Sequence, residues 1–132
     1  MKYLLDTHVL IWLLTSQKSL SENVLEIVKN RKNKIYVSAV SIWEISIKIS
    51  LGKLDIENKL PTDVVFECEQ MNIDLIDLTI RETATFNNLK NVHHKDPFDR
   101  ILIWQAIKND FTFISDDKNV KKYVSEGLKV IS

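Results

Sequence analysis

The sequence predicts an α/β fold built on one central, mainly parallel sheet. Short apolar runs of strand character alternate with longer helical segments, as in βα units. Only two Gly and two Pro punctuate 132 residues, so helices should fill the connections. Hydrophobic residues make up 45% of the chain, enough for one buried core in a single domain spanning 1–132.

The elements follow in order. Residues 2–5 (Lys-Tyr-Leu-Leu) form a short buried strand running into Asp6, and Val9 to Leu14 a helix. Ser19-Leu-Ser-Glu22 has the capping-box spacing and opens a helix to about Lys32. Ile35-Tyr-Val37 is a second buried strand. The helix after it starts near Val40 and stops at Gly52, a left-handed terminator. Pro61 starts a helix to about Met71, Ile73 to Ile76 is strand-like, and Thr79-Ile-Arg-Glu82 is another capping box. Asp96 caps a helix whose first residue is Pro97 and which reaches about Asn109. Phe111 to Ile114 is a strand, a short helix follows Asp117, and Leu128 to Ile131 closes the sheet.

Charge narrows the function. Eighteen basic residues balance eighteen acidic ones, so the chain lacks the basic excess of a dedicated nucleic-acid-binding module. An enzyme whose acidic pocket is offset by surrounding bases remains open. The single cysteine, Cys68, lies among Val64, Val65, Phe66 and Met71 and reads as a small core residue. No Cys/His cluster suits zinc. Asp6 and His8 interrupt the first apolar run, and no run is long enough to span a bilayer, so a soluble cytoplasmic protein without membrane attachment is expected.

In a parallel sheet, functional groups collect beyond the carboxyl ends of the strands. Asp6 follows the first strand, Asp116 and Asp117 follow the 111–114 strand after Ser115, Glu44 lies early in the helix after the second strand, and Asp96 and Asp99 begin the 97–109 helix. Carboxylates crowded together repel unless a cation neutralises them, and Mg²⁺ or Mn²⁺ takes carboxylate oxygen and water. Such an ion assists phosphodiester hydrolysis. Each acid also has a structural reading. Asp6, Asp96 and Asp116 suit helix caps, and Ser41-Ile-Trp-Glu44 has capping-box spacing. Glu44 nevertheless sits among Ile42, Trp43, Ile45 and Ile47, an unusual place for an unpartnered charge. His8, His93 and His94 read as surface or hydrogen-bonding residues rather than acid–base groups. Trp12, Trp43 and Trp104 read as core or dimer contacts.

These residues carry a resemblance. Leu4-Leu-Asp-Thr-His-Val-Leu-Ile-Trp12, Val37-Ser-Ala-Val-Ser-Ile-Trp-Glu-Ile45, Leu51-Gly-Lys-Leu54, His94-Lys-Asp-Pro-Phe-Asp-Arg100 and Ile114-Ser-Asp-Asp117 look like the successive motifs of PIN-domain proteins. They are most similar to the VapC-type toxins of bacterial toxin–antitoxin pairs. The resemblance runs in order from about residue 2 to the C-terminus. It implies a three-layer α/β/α sandwich, Mg²⁺- or Mn²⁺-dependent endoribonuclease activity on RNA, a homodimer, and inhibition by a cognate antitoxin. Carried over by motif, the catalytic and metal-holding acids are Asp6, Glu44, Asp99 and Asp117, with Asp96 and Asp116 in supporting positions. Thr7, Arg100 and Ser115 are the candidates for substrate contacts. In the last motif Ser115 stands where the family has Thr, and the extra acid Asp116 leaves a second candidate beside Asp117.

Other readings fit less well. A phosphoryl-accepting receiver needs paired acids after the first strand, and a haloacid-type phosphatase needs a second Asp two residues after Asp6. A dinucleotide-binding domain needs a Gly-rich loop there. Asp6-Thr-His-Val provides none of these. A catalytically silent PIN scaffold that only binds a partner is disfavoured by the presence of all four acids.

Overall fold

The computed structural model describes residues 1–90 and 96–132. Five strands form one sheet: β1 (Lys2–Leu5), β2 (Lys34–Ser38), β3 (Asp74–Ile76), β4 (Thr112–Ile114) and β5 (Lys129–Ile131). Their spatial order is β3-β2-β1-β4-β5, and all neighbours are parallel. The helices are α1 (Thr7–Thr15), α2 (Glu22–Lys29), α3 (Ala39–Ser50), α4 (Pro61–Gln70), α5 (Ile80–Thr85) and α6 (Pro97–Lys108). Short 3-10 turns occupy Gln17–Ser19, Phe86–Asn88 and Val120–Glu126.

Period-two alternation in the strands divides the core into the two outer contacts of a three-layer α/β/α sandwich. Tyr3 and Leu5 of β1, with Ile35 and Val37 of β2, face Val9, Leu10 and Leu13 of α1, Val24 of α2 and Val64 and Cys68 of α4. Leu4 and Phe113 face the other way, onto Leu102, Ile103 and Ala106 of α6 and Tyr123. Cys68 is fully buried as expected, and burial pushes its thiol up to about 11.

Local signals explain most boundaries. Gly52 adopts φ +69°, just past the end of α3, where a Cβ would be strained. Thr79 and Glu82 form the reciprocal capping box, and Asp96 Oδ1 accepts from Phe98 N at 2.9 Å. Two serine signals mislead. The second helix starts at Glu22 rather than Ser19, because Gln17–Ser19 closes a 3-10 turn and Ser21 is the residue that caps Val24 N. Ser38 caps α3, so Ser41 and Glu44 lie inside the helix and form no capping box. The short helix expected after Asp117 is present as a 3-10 helix, Val120–Glu126.

The topology also places the chemistry. From β1 the chain crosses to β2 on one side, and β4 pairs with β1 on the other. The order reverses between β1 and β4, the kind of place where open parallel sheets bind ligands beyond their strand ends.

Candidate active site

Asp6 terminates β1 at this reversal. Its backbone N–H donates to Ile114 O at 2.9 Å, locking it to the end of β4. It stands at the N-cap position of α1, yet its side chain makes no capping hydrogen bond. Instead Oδ2 accepts from Ser115 Oγ at 2.6 Å. Oδ1 is buried and has no partner among the described residues. Burial pushes the Asp6 carboxyl above its ordinary range. The Ser115 hydrogen bond, the His8 ring and the nearby His8 N–H pull it back, and the charge of Glu44 pushes it up further.

Glu44 is carried inward by α3 and is 2% exposed. Oε2 accepts from Lys48 Nζ at 2.7 Å, one helical turn on, and Oε1 is buried without a hydrogen-bond partner. Glu44 holds the Lys48 ammonium above its usual range, against partial burial, and the charges of Asp96 and Asp99 add to that effect. Trp43, the residue before Glu44, points outward and is 60% exposed, which overturns a core role for it. Its ring meets Phe98 edge-on at 5.2 Å. Trp104 is the buried one, with its indole N–H donating to Thr85 Oγ1.

Asp99 stands half-buried in the first turn of α6, and Asp96 is exposed at the cap. Asp117 is exposed after β4, and its Oδ1 accepts from Asn119 N at 2.8 Å. Asp116, read as a helix cap, does not cap: the following helix begins at Val120 with Asn119 at its N-cap position. Ser115 is fully buried and bridges the two acids: it donates to Asp6 and accepts from Asp117 N at 3.2 Å.

Two candidate substrate contacts are committed elsewhere. Thr7 is 1% exposed and donates to Ser41 Oγ at 2.9 Å, tying α1 to α3. Arg100 donates to Leu89 O at 3.0 Å and lays its guanidinium on the Phe86 ring. His8 is exposed beside Trp12. His93 and His94 lie outside the described residues.

Sequence reasoning missed two groups. Lys48 was signalled only by its spacing of four from Glu44. The other is a buried polar chain beneath the site. Ser38 Oγ donates to Gln105 Oε1 at 2.6 Å, and Gln105 Nε2 donates to Glu82 Oε1 at 3.2 Å. Asn109 Nδ2 donates to Glu82 Oε2 at 2.7 Å. Burial alone would raise the Glu82 carboxyl, but the Thr79, Asn109 and Gln105 donors outweigh it and hold it below its ordinary range. This chain joins the end of β2 to α5 and α6, and so fixes the helix that presents Asp99.

Among the described residues, no three acidic, histidine or cysteine side chains are grouped closely enough to hold an ion. The four expected acids share one edge of the sheet without closing into a cage. Electrostatics explains the spread: carboxylates with no cation between them take other partners, Glu44 the ammonium of Lys48 and Asp117 a backbone N–H. The donor set still fits a hard divalent ion. Asp6 Oδ1 and Glu44 Oε1 are buried carboxylate oxygens lacking the partner that burial normally demands.

The family model described as PIN domain matches residues 3–125. Three solved structures share the fold. VapBC2 from Rickettsia felis, bound to a DNA fragment from their promoter, is 19% identical over 99% of this chain and 98% of that chain, with a TM-score of 0.71. VapBC-1 from nontypeable Haemophilus influenzae is 16% identical over 100% and 98%, also with a TM-score of 0.71. FitAcB from Neisseria gonorrhoeae is 16% identical over 98% and 96%, with a TM-score of 0.62. No curated protein matches the chain.

Proposed function

Because this chain belongs to the PIN domain family, we propose that it is a divalent-metal-dependent endoribonuclease and the toxin of a toxin–antitoxin pair. One observation carries the reading: two buried carboxylates, Asp6 at the topological switch point and Glu44 on α3 close enough to act on it, each have an oxygen without a hydrogen-bond partner. Burying a carboxylate that is only partly satisfied is costly, and Lys48 pairs just one oxygen of Glu44, so such a pair suits a place where a further cation serves the chemistry.

Asp6 and Glu44 would hold Mg²⁺ or Mn²⁺, with Asp99 and Asp117 completing the oxygen set. When bound, such an ion polarises a phosphodiester oxygen and eases proton loss from water. The chain itself supplies position. Ser115 fixes the rotamer of Asp6 by holding Oδ2, leaving Oδ1 directed to other partners. The backbone bond from Asp6 N to Ile114 O sets the spacing of the β1 and β4 ends. Burial of Asp6 and Glu44 screens them less than bulk water would, which strengthens their attraction for a cation. No covalent nucleophile is required of the protein.

The partners follow from the same reading. An antitoxin with an Arg or Lys side chain would neutralise the carboxylates, since a guanidinium pairs with them bidentately. Among the described residues no helix is long and apolar enough to cross a membrane. A homodimer would use the outer face of α3, where Trp43 stands exposed; α1, the other candidate, already buries Val9, Leu10 and Leu13 in its own core. Cleavage of a labelled RNA by the purified, antitoxin-free chain, with and without Mn²⁺, tests the proposal.

A further inference from the structure

Lys48 differs from an ordinary surface lysine paired along a helix. An exposed pair at this spacing joins two solvated groups and contributes little. Here the acid is inside: the Glu44 side chain is 3% exposed, that of Lys48 is 36% exposed, and they meet at 2.7 Å. Among the described residues no other hydrogen-bond donor reaches Glu44, whose second oxygen is orphaned. The attraction is also shared, because Asp96 and Asp99 at the start of α6 act on the same ammonium. Lys48, on a flexible stem, thus lies in the field of acids from two helices at the site proposed for the metal.

We propose that Lys48 is the resident counter-ion of this site: it neutralises Glu44 while no divalent ion is bound and competes with that ion for Glu44. This rests on the metal-dependent reading above. An ammonium suits the role. It is a compact, strongly hydrated point charge, and its stem lets it withdraw to solvent without unfolding α3. Its partial exposure provides the way out. The metal-free protein is then spared an unpaired buried carboxylate, at the cost of a weaker grip on the metal. A guanidinium at the same place would hold the carboxylate through two parallel hydrogen bonds and yield less readily.

The test compares the wild-type chain with Lys48→Met, which keeps an unbranched stem without charge, and with Lys48→Arg. Mn²⁺ is titrated calorimetrically into EDTA-stripped, dialysed protein. Thermal unfolding is followed in EDTA and at saturating Mn²⁺. Lys48→Met should bind Mn²⁺ about tenfold tighter, the usual effect of removing one competing charge at this range. It should melt below wild type in EDTA, and the gap should narrow when Mn²⁺ saturates. Lys48→Arg should bind Mn²⁺ more weakly than wild type while melting no lower in EDTA. A purely structural lysine would shift melting and leave Mn²⁺ affinity unchanged, and that result overturns the proposal. Affinity that falls in Lys48→Met overturns it too. If the Met variant does not fold, the Arg variant decides: equal or tighter binding overturns the proposal. Mn²⁺ binding by wild type that neither variant alters rejects the counter-ion and leaves the metal-dependent reading standing. Absence of binding in all three removes both.

Discussion

Ser115 Oγ donates to Asp6 Oδ2 at 2.6 Å across 109 positions of sequence. The contact joins the end of β1 to the loop after β4, and both residues are buried. It is the strut of the site. It holds one oxygen of the acid, which leaves the other as the oxygen without a partner.

Replacing Ser115 by Ala should therefore cost about 1–3 kcal/mol of stability, the usual penalty for stripping a donor from a buried polar group. It should also raise the Asp6 carboxyl further, because the lost hydrogen bond was lowering it. Urea unfolding and the acid limb of the cleavage rate check the two effects. Ser115→Thr, which keeps the hydroxyl, should restore both.

Asp6→Asn separates stability from function. The Asp6 carboxyl is raised in the folded state, so the native chain binds its proton more tightly than the unfolded chain. Its ionisation therefore lowers stability as pH rises from the unfolded value of 3.8 through the folded one. Asn carries no such charge and still accepts from Ser115. In EDTA at neutral pH the variant should be more stable than wild type, by about 1 kcal/mol for one relieved buried charge. The advantage should shrink as pH falls towards 4. Melting curves at several pH values would show an unchanging gap if burial of the charge were not the cause.

Glu82 responds in the opposite sense. Its carboxyl is held low in the folded state, so its contribution is present above the unfolded value of 4.5 and is lost as pH falls through the folded value. Glu82→Ala should destabilise by about 2–4 kcal/mol, since it removes a capping box and strands the donors of Gln105 and Asn109. Glu82→Gln should cost less and flatten the acid side of the stability curve. Acid titration of native structure by circular dichroism checks both.

Trp43, 60% exposed and in contact with Phe98, is the test of self-association. Trp43→Glu should shift the chain from dimer to monomer in light scattering at micromolar concentration, with no more than about 0.5 kcal/mol change in monomer stability. A wild-type chain that is already monomeric there would remove the dimer from the account.

Much of this was legible in the sequence, for local reasons. Asp6 could be placed because a buried strand ends one residue before it, and Asp99 because Asp96-Pro97 marks a helix start three residues earlier. Glu44 stood out as a charge inside an apolar helix. What escaped depends on tertiary order. Nothing in the spacing of residues 6 and 115 says that β1 and β4 are neighbours, so their hydrogen bond was invisible. Lys48 could be seen to neighbour Glu44, but only the burial of Glu44 gives that pair weight. The capping-box spacing pointed to Ser19, but the 3-10 turn at Gln17–Ser19 leaves Ser21 as the cap. Asp117 matched a motif, while the turn it makes through Oδ1 with Asn119 N was not foreseen. Gln105, in the middle of an apolar helix, gave no sign of its two buried partners, Ser38 and Glu82.

The central claim is that Asp6 serves metal-dependent cleavage of RNA. The most direct measurement is cleavage of a fluorescently labelled RNA by the purified, antitoxin-free chain, wild type beside Asp6→Asn, in Mn²⁺ and in EDTA. The account predicts cleavage by wild type in Mn²⁺ alone, and a loss of at least about a hundredfold in the folded Asn variant. Equal cleavage by the two proteins, in preparations shown free of contaminating nuclease, or cleavage that persists in EDTA, would contradict it.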